Sequence, residues 1–466
     1  MRIALFTPLT PVRTALSDII EGLLPHLVRE LDITVVTNGT YTPTHPMFQP
    51  GGDPFIPWIT YDKFQAQAED FDLIVYNLGD EPRIHGYMFY ALYRYPGLVL
   101  LHDLVLHHAI AGITWAEGKG DAYIDELRYS YGDEAERLAH EVMSGNYEAI
   151  FVQYPLVERV LDSSLGVVVF NGFMVREVLA RCPDLPVLRS PLPFYLPEEF
   201  PPDFDVAAFR RAHDLADRPV LATFGLFNTQ KRLNLALRAF QRLLIRHPDA
   251  VYLLVGASID PELDAKLNKE GLAGKVRETG WQPRGAFTQY LTAVDVAVHL
   301  RYPHVGGTPY TPIRLLGLGT PTIISDIEPL AEIPANVVVR ITPEVPDEEG
   351  MLFAAMDYLL THPEVRRALG ESARRFIIEN HSADIVAAQW TGFFREVAAR
   401  REMLTAQVKA RAQAHRFGQR KGHSLERAAG QALAELGVTP GQRQVLLPVA
   451  QAIHELTGSL PGRGRR

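Results

Sequence analysis

The sequence predicts an α/β protein with two doubly wound domains that face a cleft, followed by a helical extension. Short aliphatic and β-branched runs alternate with amphipathic stretches, which is typical of parallel sheets covered by helices on both faces. The alternation stops at residues 182–202, where seven prolines occur in 21 residues, and then restarts. Because proline breaks helices and cannot donate to a sheet ladder, this segment predicts an extended interdomain connector with at most one edge strand.

The predicted elements follow the chain in this order. Residues 17–31 and 232–246 carry apolar side chains on one helical face, so each is predicted to be a helix. Residues past His381 are predicted to be helical throughout. We therefore predict domains at 1–200 and 201–400 and a basic helical extension at 401–466. The predicted strands are residues 2–6, 33–37, 73–76, 98–101 and 166–170 in the first half, and 220–224, 251–255, 276–279, 294–300 and 321–325 in the second.

Charge and composition exclude several classes of protein. The net charge is -9, and an acidic body gives no reason to expect nucleic acid as a partner. No run of about 18 apolar residues is present, and the apolar start is too short for a signal peptide, so we expect a cytoplasmic protein. Cys182 is the only cysteine, which excludes an intrachain disulfide and a cysteine-based metal site. The basic tail leaves three roles open: self-association, contact with an anionic inner membrane face, or a solvated helical surface.

Two basic residues stand where a helix is predicted to begin, in the stretch FGLFNTQKR. Gly225 follows a strand and permits close approach of the backbone, and Lys231 and Arg232 open the next helix. Cations normally avoid a helix N-terminus, so this pair indicates an arriving anion such as a diphosphate. Ordinary solvated surface residues remain the alternative.

Polar side chains follow two predicted strands of the first half. His102 and Asp103 lie just past residues 98–101, and one helical turn would bring His107 near them. Asn77 and His85 follow residues 73–76 in the same way. The carboxyl ends of parallel strands are where α/β sheets bind ligands, so these residues are predicted to contact sugar hydroxyls or hold a proton. A structural role and, less favoured, a metal site are the alternatives.

A loop rich in Gly, Pro and Thr, HVGGTPYTPIRLLGLGTPTIISD, follows residues 294–300. Gly306, Gly307 and Thr308 leave backbone N–H groups unobstructed, so the loop is predicted to meet a phosphate directly. A short helix is predicted at residues 313–318. The loop has little specificity by itself.

Together these stretches resemble the retaining GT-B glycosyltransferases of family four, also called glycosyl transferases group 1, over roughly residues 1–400. The resemblance rests on FGLFNTQKR, VGA, ETGW, YLTAVDVAVHLR, the Gly/Pro/Thr-rich loop, and YNLGDEPRIHGY and PGLVLLHDLVLHH in the first half. It implies two Rossmann-like domains, the first on the acceptor side and the second binding a nucleotide sugar.

The resemblance also implies roles for single residues. Lys231 would bind the donor diphosphate, but the arginine that assists it in the family is Leu226 here. The base would lie near residues 279–282, which include Trp281. The family's two loop glutamates correspond to Gly306 or Gly307 and to Arg314. This leaves the following donor contacts as predictions: Gly225, Lys231, Arg232, Trp281, Gly307, Thr308, Pro309, Tyr310 and Arg314.

The implied activity is transfer of a sugar, of hexosyltransferase type, from a nucleoside diphosphate sugar with retention of configuration. His102 and Asp103 would be catalytic, with Asn77, His85 and His107 near the sugar or acceptor. We expect no metal and no cofactor besides the donor, an acceptor that is a glycan, lipid or protein, and a role in polysaccharide biosynthesis. The alternative is a catalytically impaired relative that binds a nucleotide sugar or a partner. A dinucleotide oxidoreductase is disfavoured because neither half has G-x-G-x-x-G, and an epimerase stays open.

Overall fold

The computed structural model describes residues 1–257, 267–268 and 271–416, with the isolated positions 433, 438, 445, 446, 448 and 449. Helix Arg401–Arg416 confirms the start of the predicted helical extension. Most of the predicted extension after residue 416 lies outside the described residues. Within the described chain, no helix is both long enough and apolar enough to cross a bilayer.

The first domain is built on a seven-stranded parallel sheet in the order β3-β2-β1-β4-β5-β6-β7. Its central strands are fully buried, because helices cover both faces of the sheet. The strands are β1 (Arg2–Phe6), β2 (Asp32–Thr37), β3 (Trp58–Thr60), β4 (Leu73–Leu78), β5 (Gly97–Leu101), β6 (Ser164–Val169) and β7 (Val187–Arg189).

The second domain is built on a six-stranded parallel sheet in the order β10-β9-β8-β11-β12-β13. The order reverses beside β8, and this reversal opens a crevice at the carboxyl ends of β8 and β11. The strands are β8 (Val220–Phe224), β9 (Val251–Val255), β10 (Val276–Gly280), β11 (Val296–His299), β12 (Thr322–Ser325) and β13 (Val339–Ile341).

Helices connect the strands and cover the two sheets. Helix Ala15–Leu27 shows how the sequence selects them: Thr14 caps it, and its apolar face is buried. In the first domain and connector the α-helices are Ala15–Leu27, Tyr61–Gln65, Pro82–Arg94, His107–Ile113, Gly120–Tyr131, Ala135–Met143, Glu148–Gln153, Glu158–Asp162, Gly172–Arg181 and Val206–Ala212. Further along the described chain they are Leu233–Leu243, Arg284–Ala293, Tyr310–Leu318, Glu348–Thr361, Pro363–His381, Ala383–Ala399 and Arg401–Arg416.

All ten predicted strands are present, and the three others are edge strands of three residues each: β3, β7 and β13. Their side chains are mostly half-buried, so they lack the continuous apolar run that marked the central strands. Strand β7 is the single edge strand that the proline-rich connector was predicted to allow.

The chain returns to the first domain after residue 381. Helix Ala383–Ala399 packs its buried face there, and the indole N–H of Trp390 donates to Ser190 Oγ at 3.0 Å. Helix Arg401–Arg416 continues along the same domain, where Arg411 donates to the carbonyl oxygen of Leu161 at 2.9 Å. The predicted boundary at residue 400 therefore falls inside a segment that packs on the first domain.

Candidate functional site

A cavity of about 870 Å³ lies between the two domains. Its first-domain wall comes from residues 10–15, which follow β1, and from Asp18 and residues 44–46. Its second-domain wall comes from segments that follow β8, β9, β10 and β11. Because all of these segments follow the carboxyl ends of parallel strands, the cavity occupies the position where paired α/β sheets bind ligands.

Lys231 carries its ammonium group into this cavity. After β8 the chain turns at Gly225, with φ +101°, and a short 3₁₀ turn, Thr229–Lys231, places the side chain. The residue is partly exposed, but its Nζ atom is enclosed and donates to the carbonyl oxygen of Phe224 at 3.0 Å. Burial, reinforced by the neighbouring Arg301, lowers the pKa of Lys231 to about 7. The predicted positions of Gly225 and Lys231 at a ligand cavity therefore agree with the structure.

His299 is a buried neighbour of Lys231 that the sequence reasoning missed. It ends β11 and lines the cavity, with its Nδ1 3.5 Å from Lys231 Nζ. Burial, then Lys231 and Arg301, hold the pKa of His299 well below its usual value, so the ring is neutral. Since the ammonium group can only donate, Nδ1 accepts and Nε2 carries the proton. That Nε2–H donor has no partner among the described residues.

Arg301, two residues further on, is a second cavity residue missed from the sequence. Its backbone N–H donates to Ser325 Oγ at 2.9 Å, and Nη2 lies 3.4 Å from Gln230 Oε1. Its Nε atom is buried without a hydrogen-bond partner in the described part of the chain. The detectable signal was a polar pair, His299 and Arg301, that interrupts an apolar strand at its carboxyl end.

Other arginines of the cavity are paired with carboxylates across the cleft. Arg284 lies 3.4 Å from Glu21 Oε2 and 2.8 Å from Glu199 Oε1. Arg314 Nη1 lies 3.8 Å from Asp18 Oδ2. Burial raises the pKa of both Asp18 and Glu21. Arg314 and Arg284 oppose this at Asp18, whereas hydrogen bonds from Thr10 and then Arg284 oppose it at Glu21. These contacts join helix Ala15–Leu27 of the first domain to the second domain.

Arg314 was predicted to be a donor contact, and the structure buries it beside the cavity. It is 8% exposed, donates from Nη2 to Thr288 Oγ1 at 2.6 Å, and lies 4.9 Å from the centre of the Phe287 ring. It also lines the cavity. A phosphate contact would therefore have to compete with Asp18.

Arg232 does not share the site of Lys231. Its φ of +51° sends the side chain away from the cavity, and Nη2 pairs with Glu348 Oε2 at 2.7 Å. Glu344 lies 3.5 Å from Nη1. The predicted donor contact of Arg232 is therefore corrected to an ion pair within the second domain.

Trp281 lines the cavity mouth and is 49% exposed. The guanidinium carbon of Arg13, on the opposite wall, lies 4.0 Å from the centre of its ring. An exposed indole face of this kind can stack on a nucleobase or a cation. The structure thus brings Trp281 into the cavity, as the sequence predicted.

The glycine-rich loop after β11 docks on the first domain instead of opening toward the cavity. Asn171 Nδ2 donates to Gly306 O and to Thr308 Oγ1, both at 2.9 Å. A Cβ at residue 307 would lie 2.2 Å from the carbonyl oxygen of His102. The predicted phosphate contacts of Gly307 and Thr308 are therefore corrected to interdomain packing. Pro309 and Tyr310, at the start of the following helix, do line the cavity.

The predicted polar cluster of the first domain forms, but behind the cavity wall. His102 Nε2 lies 2.6 Å from Asn77 Oδ1, and the ring stacks on Phe170 at 4.5 Å. Burial lowers the pKa of His102 and of His85 to about 3, so both are neutral. The described residues that line the cavity do not include His102, Asp103, Asn77 or His85. The cluster in this structure is a buried network under the β4 and β5 ends, without contact to the cavity.

His107 is held at a different place. Its Nδ1 lies 2.5 Å from the carbonyl oxygen of Tyr154, and its Nε2 lies 2.6 Å from Tyr123 Oη. The ring stacks on Phe151 and is fully buried. The helical turn does not bring His107 beside His102, because the first residue of helix His107–Ile113 points toward helices Gly120–Tyr131 and Glu148–Gln153.

Among the described residues, no group of three or more His, Cys, Asp or Glu side chains is placed to hold a metal ion.

Part of the chain is similar to known glycosyltransferases. Residues 205–376 match the family described as Glycosyl transferases group 1. Alpha-D-kanosaminyltransferase from Streptomyces kanamyceticus is 23% identical over 234 residues, which are 48% of this chain. The match spans 58% of that relative's length.

Solved structures share the whole two-domain architecture. Sucrose-phosphate synthase from Thermosynechococcus elongatus superposes with a TM-score of 0.59 and 17% identity, covering 86% of this chain and 99% of that one. Anabaena HepE in complex with UDP and glucose superposes with a TM-score of 0.60 and 14% identity, and the match covers 85% of this chain and 100% of HepE. The two facing parallel-sheet domains are thus a GT-B glycosyltransferase fold. Within the second domain, residues 205–376 match the Glycosyl transferases group 1 model, which agrees with the resemblance seen in the sequence.

Proposed function

We propose that this protein is a retaining glycosyltransferase that moves a sugar from a nucleoside diphosphate sugar to an acceptor hydroxyl. The observation that carries the proposal is the enclosed Lys231 ammonium group, which lines the interdomain cavity without a carboxylate partner in the described structure. Burying a cation in this way is unfavourable unless an anion completes the site. A donor diphosphate would supply that anion, and the carboxyl edge of a parallel sheet is a common site for such groups.

The chemistry assigned to Lys231 is stabilisation of the leaving diphosphate. Negative charge develops on the diphosphate oxygen as the glycosidic bond to the sugar breaks, and a fixed ammonium group offsets it. The acceptor oxygen attacks the anomeric carbon on the same face and gives its proton to the departing diphosphate. This route needs no enzymic nucleophile. The two carboxylates that line the cavity, Asp18 and Glu199, are each placed beside an arginine.

UDP sugars are the first donors to test, because Anabaena HepE has been crystallised in complex with UDP and with UDP-glucose. The acceptor class, the cytoplasmic location, the role in polysaccharide synthesis and the membrane or self-association role of the basic tail stay predictions from the sequence. So does the absence of a metal or cofactor requirement.

The test is a donor screen followed by product analysis. The purified chain is mixed with UDP, GDP, ADP and TDP sugars, and binding is measured by calorimetry or by the rise in melting temperature, since a ligand that binds the native state stabilises it. Transfer to glycan, lipid and peptide acceptors is then followed, and the anomeric configuration of the product is read by NMR. A product of inverted configuration would contradict the retaining mechanism. Binding without transfer or hydrolysis across the panel would favour the impaired relative.

A further inference from the structure

Leu226 poses a problem for the proposed donor site. It stands where the family resemblance implies an arginine beside the diphosphate, and it lines the cavity with a side chain that is 55% exposed. A leucine cannot donate a hydrogen bond to phosphate. With Lys231 as the single ammonium group at this wall, the diphosphate would lack the forked donor that planar guanidinium groups provide.

Arg301 reaches the same wall from another strand. It follows β11, which pairs with β8, the strand before Leu226 and Lys231, and it lines the same cavity. Its backbone is fixed through Ser325, and its Nη2 is near Gln230, the residue before Lys231. The buried Nε–H has no partner among the described residues, so one face of the guanidinium fork is left to an outside acceptor.

A carboxylate of the first domain affects the charge of Arg301. Asp103 opposes the burial that lowers the pKa of Arg301. Asp103 Oδ1 lies 2.8 Å from the position that a Cβ on residue 307 would occupy, so the glycine at position 307 leaves room for this carboxylate. Arg301 lines the cavity, whereas Asp103 does not.

We propose that Arg301 is a donor-diphosphate contact that replaces the missing arginine at position 226. This inference rests on the proposed function, because it assigns a further residue to the same donor site.

The experiment measures binding of UDP and of inorganic diphosphate by calorimetry to the full chain and its variants. Arg301→Gln is expected to weaken both ligands by about tenfold to a hundredfold, the range for losing a charge-assisted hydrogen bond. Arg301→Lys keeps the charge but not the fork, so its loss should be smaller. In the Arg301→Gln background, Leu226→Arg should recover part of the affinity. Arg242→Gln, which removes a partly exposed arginine outside the cavity, should bind like the wild type.

A pH titration separates a direct electrostatic role from a merely structural one. In addition to burial, Arg301 lowers the pKa of Lys231, and Lys231 in turn lowers the pKa of His299. Against burial, which lowers it, Asp103 raises the pKa of Arg301. Removing the positive charge in Arg301→Gln should move the pH midpoint of UDP binding upward. Asp103→Asn removes a negative charge that offsets the charge of Arg301, so this variant should move the pH midpoint of UDP binding downward. Opposite shifts are not expected from two variants that only loosen the fold.

The outcomes distinguish the two proposals. If Lys231→Ala abolishes diphosphate binding while a folded Arg301→Gln binds like the wild type, the role of Arg301 is refuted and the donor site stands. If Lys231→Ala also binds normally, the donor site itself is wrong. If Arg301→Gln does not fold, normal affinity and an unmoved pH midpoint in Arg301→Lys and Asp103→Asn would refute the inference.

Discussion

Two groups of basic residues line the same cavity and differ in their protein partners. The hinge group, Arg284 and Arg314, is matched by carboxylates from the first domain and the connector. In the donor group, Lys231, His299 and Arg301, the buried His299 Nε2 and Arg301 Nε have no hydrogen-bond partner in the described chain. Charge that is matched within the protein holds the two domains together, whereas incompletely matched charge is available to a ligand. The following predictions are ordered from the largest expected effect to the smallest.

Arg284→Ala should destabilise the protein more than it harms donor binding. The change leaves the fully buried Glu21 without its arginine, although Thr10 still donates to it from its backbone N–H and its hydroxyl. Breaking a buried ion pair on one side costs about 3 to 5 kcal/mol. Chemical denaturation measures the loss, and UDP affinity of the folded variant should change by less than about threefold.

Arg395→Ala is the control for Arg284→Ala. Like the Arg284 pair, the Arg395–Glu30 ion pair reaches helix Ala15–Leu27 or the turn after it from another part of the chain, here from helix Ala383–Ala399. Both of its side chains are 53% exposed. Surface pairs of this kind contribute about 0 to 1 kcal/mol. Equal losses of unfolding free energy in the two variants would show that the hinge group contributes no more than a surface ion pair.

Lys231→Ala should lower sugar transfer by about a hundredfold, or about 3 kcal/mol of transition-state stabilisation, because the leaving diphosphate loses its ammonium partner. The free energy of unfolding should not fall, since a buried cation is removed from the native state. Steady-state kinetics with the donor found by screening measures the first effect, and denaturation the second. A transfer rate within threefold of the wild type would show that Lys231 does not stabilise the leaving diphosphate.

Gly307→Ala should weaken the contact between the loop and the first domain by about 2 kcal/mol, the usual scale of overpacking. The added Cβ would meet the carbonyl oxygen of His102, and backbone cannot move aside as a flexible side chain can. Differential scanning calorimetry would show a lower melting temperature. Gly392→Ala is the matched control, because Gly392 lies in helix Ala383–Ala399 with nothing within 4 Å of an added Cβ, so it should not be destabilised.

UDP binding should weaken as the pH rises above about 7, where Lys231 loses its proton in the free protein. The sign follows from linkage: the bound diphosphate favours the charged lysine, so the complex holds a proton that the free protein has released. Well above this pH, the affinity for UDP should fall by nearly tenfold, or about 1.4 kcal/mol of binding free energy, for each pH unit. Affinity that stays constant to about pH 9 would contradict the shifted lysine.

Most of the fold could be predicted because it depends on burial. Strands such as β5 and β8 are covered on both faces, and such strands carry unbroken apolar runs that stand out in the sequence. The edge strands are short and half exposed, so β3 and β13 gave no comparable signal. The return of the chain at residue 381 could not be predicted, since an amphipathic helix does not encode which domain covers its apolar face.

The candidate site was predicted less completely than the fold. Lys231, Trp281, Tyr310 and Arg314 were predicted as donor contacts with the help of the family resemblance, and the structure places them around the cavity. His299 and Arg301 were missed because their partners come from the turn after β8 and from Ser325 at the end of β12, which are distant in sequence. Arg232 was misplaced because the sequence does not reveal its left-handed φ, which directs the side chain toward Glu348. Local sequence thus locates the sheet edge, while the direction of each side chain depends on tertiary contacts.

The returning helix Ala383–Ala399 also affects how the chain must be synthesised. Trp390 lies in the core of the first domain, whose sheet begins at Arg2 and ends at Arg189. On a ribosome that adds about 5 to 20 residues per second, Trp390 emerges roughly 10 to 40 s after β7. The first domain must wait with an open apolar surface until the second domain has been made. Synthesis therefore leaves a window in which a chaperone can protect the first domain, and a chain cut before residue 383 would expose that surface permanently.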